Sequence, residues 1–250
     1  MRVPRIHIEA QLLPGRPVTV PEGPARHLAR VLRLGIGDEV VAFDGSGAEY
    51  RCVLSVIDRG FVQIQVRERR ELSRESPLRI TLVQGISAGD RMDYTVQKAV
   101  ELGVARIVPV EMERSVVHLR GERAERRVEH WRQVAASACE QCGRNVLPEI
   151  APIERYDRWC ATMRDDLSPS IRVLLSPGGE TTLDALSRSG QEVVLLVGPE
   201  GGLTDAEQAL ATRVGFRGVR FGPRILRTET AALAALAVLQ VLWGDFSGPT

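Results

Sequence analysis

Apolar and polar positions alternate over short stretches in the first part of the chain. Residues 5–9, 39–44, 48–57 and 61–67 read as strands, with turn signals at Gly45-Ser46-Gly47 and Asp58-Arg59-Gly60. One helical stretch, residues 24–34, interrupts them. It sets Leu28, Val31 and Leu32 on one side and Arg26, Arg30 and Arg33 on another. No strand–helix alternation is present here, and the order predicts a small β-barrel with one helix.

Residues 67–77, charged and closed by Pro77, read as a linker. Beyond them the pattern changes. Apolar runs at 78–85, 105–110, 171–176, 192–197 and 219–221 read as strands. Periodic stretches at 91–102, 123–143, 183–188, 205–214 and 229–242 read as helices. Strands that alternate with helices predict a mostly parallel sheet covered on both faces, with ligands held beyond the carboxyl ends of the strands. The expected organisation is two domains, residues 1–72 and 73–250.

Composition narrows this picture only modestly. The 250 residues carry 33 basic and 32 acidic side chains, so a strongly basic coat for nucleic acid is excluded, though a local basic face is not. Lys98 is the only lysine. Arginine forks suit phosphate, but a coding bias explains the preference equally well. The four cysteines are sparse for a disulfide scaffold. The first ten residues lack the apolar core of a signal peptide, and the apolar run at 231–239 is too short to span a bilayer. A cytoplasmic protein without membrane contact is expected.

Two segments carry the chemistry. Gly198-Pro199-Glu200-Gly201-Gly202-Leu203-Thr204 follows the apolar run VVLLV and precedes a helix, with Thr204 and Glu207 spaced as a capping box. Glycines at a strand end let backbone groups approach a ligand, although a plain tight turn uses them too. Neither the dinucleotide nor the phosphate-loop spacing is present, which disfavours a nicotinamide dehydrogenase. The second segment, Leu226-Arg227-Thr228-Glu229-Thr230-Ala231, opens a helix that is apolar almost all round. Thr228 reads as its N-cap, and a polar cluster at the mouth of a buried helix must be hydrogen-bonded or functional.

GPEGGLT at 198–204, followed by LRTETA at 226–231, resembles the small-subunit ribosomal RNA uridine-N3 methyltransferase family of the SPOUT class. HLARVLRLGIGDEVVAFDG at 27–45, QGISAGDRMDYTVQKAVELGV at 84–104 and EQCGR at 140–144 extend the resemblance over essentially the whole chain. It departs from the family pattern at Ala88, where Pro or Lys is common, and this touches nothing central. The resemblance implies a PUA-like RNA-binding barrel followed by an α/β domain whose last segment forms a trefoil knot. It implies S-adenosyl-L-methionine held between three loops: Leu175 and Ser176; Gly198, Glu200 and Gly202; and Leu226, Arg227, Thr228, Glu229 and Ala231. It also implies methyl transfer to N3 of a uridine. That proton is about as weakly acidic as a phenol, near pKa 10, so a base or an anion-stabilising cation would help. Glu229, Glu200 and Glu140 are candidate carboxylates, and Arg91 and Arg144 candidate cations. N3 lies on the pairing edge, so the base must be unpaired or flipped out.

Other signals admit plainer readings. Cys139 and Cys142 form a lone C-x-x-C on an apolar helix face and read as packing residues rather than a metal site. Glu140 and Arg144 read as a surface pair or as cleft residues. The mixed charges at 114–132 read as a solvated face or an RNA path. Arg26, His27, Arg30 and Arg33 are the expected RNA contacts, and His118 has no ligand partner in spacing. A ribosomal RNA partner and a homodimer paired through the apolar last helix complete the expectation. The rivals are a catalytically dead RNA-binding assembly protein and a knotted methyltransferase acting on a ribose 2′-hydroxyl or on transfer RNA.

Overall fold

The computed structural model describes residues 3–58, 60–165, 170–187, 190 and 192–248. Contacts divide the chain into two units. The first runs to Glu75 and takes in Ala136–Leu147; the second comprises Ser76–Ala135 and the chain from Pro148 onward.

In the first unit five strands form one sheet. They are β1 (Arg5–His7), β2 (Pro17–Val20), β3 (Glu39–Phe43), β4 (Ala48–Asp58) and β5 (Phe61–Glu71), in the order β1-β3-β4-β5-β2. Among the described residues no ladder joins β1 to β2, so the sheet is a half-barrel. Alternation along β4 and β5 sends Cys52, Leu54, Val62, Ile64 and Val66 into a core with Ile6, Val40 and Leu28. β2 escapes the sequence pattern because it begins at Pro17, which an edge strand tolerates at its first position. β5 extends to Glu71, so 67–71 is strand rather than linker. Arg59, in the expected turn after β4, lies outside the described residues.

The helix expected at 24–34 is shorter and broken. α1 spans Glu22–Arg26, and the chain then widens into a π-helical turn, His27–Val31. Leu28 is buried, but Val31 and Leu32 are exposed, so the expected apolar side is only partly covered. Arg33 adopts a left-handed φ of 55° and ends the helical path.

The second unit is a seven-stranded sheet. β6 (Arg79–Gly85), β7 (Arg106–Glu111), β8 (Glu149–Ile150), β9 (Glu154–Arg155), β10 (Ser170–Leu175), β11 (Glu192–Val197) and β12 (Arg217–Val219) pair in parallel. The order is β12-β10-β11-β6-β7-β8, with β9 also on β7. The helices are α2 (Asp90–Glu101), α3 (Glu122–Cys142), α4 (Tyr156–Asp165), α5 (Asp205–Arg213) and α6 (Thr228–Trp243). α3 packs with this unit up to Ala135 and with the first unit from Ala136. α2 packs on α6, and α4 on α5. Val83, Leu174 and Leu196 share a core with Tyr156, Trp159, Cys160 and Phe216, which is why these strands read as continuous apolar runs.

Three expectations are corrected. Residues 183–187 form turns, with Leu183 and Leu186 buried and a single Leu186 N–H to Leu183 C=O bond, too short for a helix; Arg188 lies outside the described residues. The strand expected at 219–221 is β12, which ends at Val219 and leaves Phe221 in a loop. Thr228 is not the N-cap of α6. Arg227 holds that place without a side-chain cap, and Thr228 is the first helical residue.

Candidate functional site

The loops after β10, β11 and β12 and the first turn of α6 enclose a cavity of about 950 Å³ within the second unit. This is the position at which parallel sheets bind ligands. Leu175, Ser176, Gly198, Glu200, Gly202, Leu226, Arg227, Thr228 and Ala231 all line it, as do Arg91 and Glu229.

The loop after β11 is placed by backbone contact. A Cβ on Gly85, at the end of β6, would lie 2.4 Å from the Pro199 nitrogen, so only glycine lets the two segments approach this closely. The Thr228 hydroxyl donates to the Gly198 carbonyl (2.6 Å) and accepts from Gln84 Nε2 (2.8 Å). That commitment is the physical reason Thr228 does not cap its own helix. Gln84 is fully buried and also donates to the Gly85 carbonyl (3.0 Å), so one amide links β6 to the start of α6. Beyond Gly202, at φ 68°, Thr204 and Glu207 close the capping box of α5.

Glu200 joins this loop to the start of α2. Its Oε1 accepts from the Ala88 N–H (2.9 Å) and from Arg91 Nη1 (2.8 Å). Burial pushes the Glu200 carboxyl upward. Hydrogen bonds from the Ala88 and Glu200 N–H groups and from Arg91, with the charge of Arg91, outweigh that push and leave it below its ordinary value. Glu229 presents a buried Oε2 with no hydrogen-bond partner among the described residues, a carboxylate oxygen open to a cation or donor.

Arg144 is not among the residues lining the cavity. Its guanidinium lies within the first unit on Glu75, at 2.9 and 2.5 Å. Glu140 accepts the His7 N–H (2.9 Å), and burial raises its carboxyl above the ordinary range. In the same unit Arg26, His27, Arg30 and Arg33 are all exposed, and Arg26 is paired with Glu22 at 3.0 Å. Several charges on α3 are paired: Arg126 with Glu122 and Arg132 with Glu129 along the helix, and Arg127 with Asp93 of α2. His118 contacts Glu111 at 2.6 Å. Cys139 is buried, and its thiol is held well above the ordinary value by a hydrogen bond with Cys142 and by burial.

Sequence reasoning missed Gln84, Arg114, Gln208, Arg220 and Arg224. Gln84 was legible as the polar side chain that follows Leu82 and Val83 and directly precedes Gly85. Arg114 donates to the Gly201 carbonyl (3.2 Å), and Ser176 Oγ contacts Gln208 Oε1 (3.4 Å). Neither distance follows from spacing along the chain.

Residues 74–240 match the family described as RNA methyltransferase domain, and residues 24–67 match the RNA methyltransferase PUA domain. The chain is 30% identical to a ribosomal RNA small subunit methyltransferase E of Buchnera aphidicola from Acyrthosiphon pisum, over 98% of this chain and 96% of that one. The Bacillus subtilis protein of the same name is 32% identical over 88% of this chain and 89% of its own. Among solved structures, the Neisseria gonorrhoeae ribosomal RNA small subunit methyltransferase E bound to S-adenosyl methionine superposes with a TM-score of 0.90. It is 39% identical, and the match covers 98% of this chain and 100% of that chain. A Legionella pneumophila methyltransferase in complex with the same cofactor gives 0.93 at 34% identity, with the same coverage.

Proposed function

The chain belongs to the ribosomal RNA small subunit methyltransferase E family, with a PUA domain ahead of an α/β RNA methyltransferase domain, and from that premise we propose that it methylates N3 of a uridine in small-subunit ribosomal RNA. The observation that carries this reading is the cavity beyond β10, β11 and β12, together with relatives of 39% and 34% identity that hold S-adenosylmethionine.

The residues present fit that cofactor. The cavity has the size of a small-molecule site. Its wall joins aliphatic side chains at Leu175 and Leu226 to carboxylates at Glu200 and Glu229 and a guanidinium at Arg227. These suit a flat apolar ring, a cationic centre and a carboxylate respectively. When bound, the cofactor supplies an already activated methyl group, so the protein's work is positioning and electrostatics. In this reading Gly198, Gly202, Ser176 and Ala231 admit the ligand to the backbone. Thr228 fixes the loops around it. Glu229 accepts the N3 proton through its unpartnered oxygen, and Arg91 stabilises the anion left behind. For Arg144 to take part, its guanidinium has to leave Glu75.

RNA contacts at Arg26, His27, Arg30 and Arg33, a split of labour between residues 1–72 and 73–250, and the trefoil knot of the class belong to the same reading. Among the described residues no helix is long and apolar enough to cross a membrane. We place the reaction in the cytoplasm. The working unit is a homodimer, supported by the apolar residues Val241, Leu242 and Phe246 left exposed at the end of α6. Light scattering at micromolar concentration should give twice the chain mass, and a fully active monomer overturns the dimer. Leu236 and Leu239 are fully buried, so charges there should unfold the unit rather than split a dimer.

The test of function is calorimetry with S-adenosylmethionine, followed by incubation with small-subunit particles and mass mapping of the nucleosides. Saturable binding and a base-methylated uridine at N3 are expected. A ribose-methylated product would favour the 2′-hydroxyl rival. Absence of cofactor binding would favour the dead RNA-binding rival.

A further inference from the structure

One stretch departs sharply from the near-neutral balance of the chain. Between Glu207 and Glu229 there is no carboxylate, while Arg213, Arg217, Arg220, Arg224 and Arg227 all fall there. Arg220 and Arg224 lie in the loop after β12, and both line the mouth of the cavity. Both are exposed, and among the described residues neither is paired with a carboxylate. Between them Gly222 turns the chain at φ 73°, and the ring of Pro223 locks its own φ. The base of the loop is anchored by the Arg220 N–H on the Thr181 carbonyl (2.9 Å).

We propose that Arg220 and Arg224 bind backbone phosphates of the RNA on either side of the base that enters the cavity. The proposal rests on the methyltransferase reading and adds an RNA contact on the catalytic unit itself. A base taken out of its stack carries its flanking phosphates past the cavity mouth. Two unpaired guanidinium forks at that mouth have no internal anion to neutralise, and phosphate is the group their geometry fits best. Such contacts fix the register of the RNA without reading its sequence. In this reading the cofactor needs neither arginine, because Arg227 already offers a cation to its carboxylate from the cavity wall.

The experiment uses the full chain with small-subunit ribosomal RNA as probe. RNA affinity is measured against salt for wild type, R220A/R224A and R220K/R224K, and S-adenosylmethionine affinity for each by calorimetry. The alanine pair should bind RNA about tenfold more weakly at low salt and show a log–log salt slope shallower by about 1.4, the value for two phosphate contacts on a single strand. The lysine pair should recover the slope, and cofactor affinity should be unchanged in all three. An unchanged slope in the alanine pair overturns the proposal, as does a loss of cofactor affinity, which would assign the arginines to the cofactor. If wild type fails to methylate while the slope still falls, the function fails and the phosphate site stands. If methylation proceeds and the slope holds, the phosphate site fails alone.

Discussion

Two loops border the same cavity and are built in opposite ways. The loop after β11 is tied at almost every residue. The Gly198 carbonyl takes the Thr228 hydroxyl, the Glu200 carboxylate takes Ala88 and Arg91, the Gly201 carbonyl takes Arg114, and Thr204 closes a capping box. Among the described residues the loop after β12 has one backbone anchor, at Arg220, and Arg220, Arg224, Ile225 and Arg227 stand exposed. Preorganisation belongs where a small ligand must be held in one geometry, because ordering a loop at the moment of binding costs affinity. An adaptable cationic loop suits a polymer whose phosphates arrive in varied positions. The contrast shows that glycine content alone does not make a loop flexible: the tied loop is the richer in glycine.

Glycine substitutions should break the comparison most strongly. Gly85→Ala would place Cβ 2.4 Å from the Pro199 nitrogen and 2.8 Å from the Gly198 carbonyl carbon, both backbone atoms that cannot swing aside. Overpacking of this kind costs about 3 kcal/mol, and the loop has to move. Cofactor affinity should fall more than about a hundredfold, with a clear drop in Tm. Gly222→Ala in the other loop meets nothing within 4 Å, and only its φ of 73° opposes it. That costs about 1 kcal/mol and should leave most binding intact. Thermal unfolding and calorimetry on the pair decide the matter: equal losses would mean the two loops are held alike.

The sequence made the second unit more legible than the first. Strands buried on both faces leave unbroken apolar runs, so β6, β7, β10 and β11 stand out without any knowledge of their neighbours. α4 was missed: Tyr156, Trp159, Cys160 and Met163 keep helical spacing and are all buried, but the surrounding charges mask the pattern. The helix at 24–34 was misjudged because its widening at His27 and the left-handed Arg33 have no signature in apolar spacing. Within the site, the residues named by motif gather around one cavity because each lies just beyond a strand of the same sheet. Arg144 does not join them, and its position depends on a return of 136–147 to the first unit that no local pattern announces. Gln84 and the partnerless arginines depend on which groups meet across the fold, and a linear reading does not carry that information.

The smallest expected effect concerns Glu200, and it sharpens the contrast through pH. Its carboxylate is the only charged tie from the β11 loop to the start of α2 among the described residues. The folded-state value lies below the ordinary one, so the ionised form stabilises the fold. That stabilisation is fully present above the unfolded value and is lost as pH falls through the folded one, which puts the window below about pH 4.3. Glu200→Gln keeps an acceptor for the Ala88 N–H but removes the charge facing Arg91. The side chain retains 22% of its exposure, so solvent screens the pair and the loss is small. Cofactor affinity at neutral pH should fall about threefold or less, as expected for a screened pair. The Tm of wild type should drop more steeply than that of Glu200→Gln between neutrality and the acid side of the window, because the variant has no carboxylate left to protonate there. Parallel Tm curves for the two proteins across that range would show that the tie is held by shape alone. The loop after β11 would then owe its order to Gly85, Gln84 and Thr228 without electrostatic help.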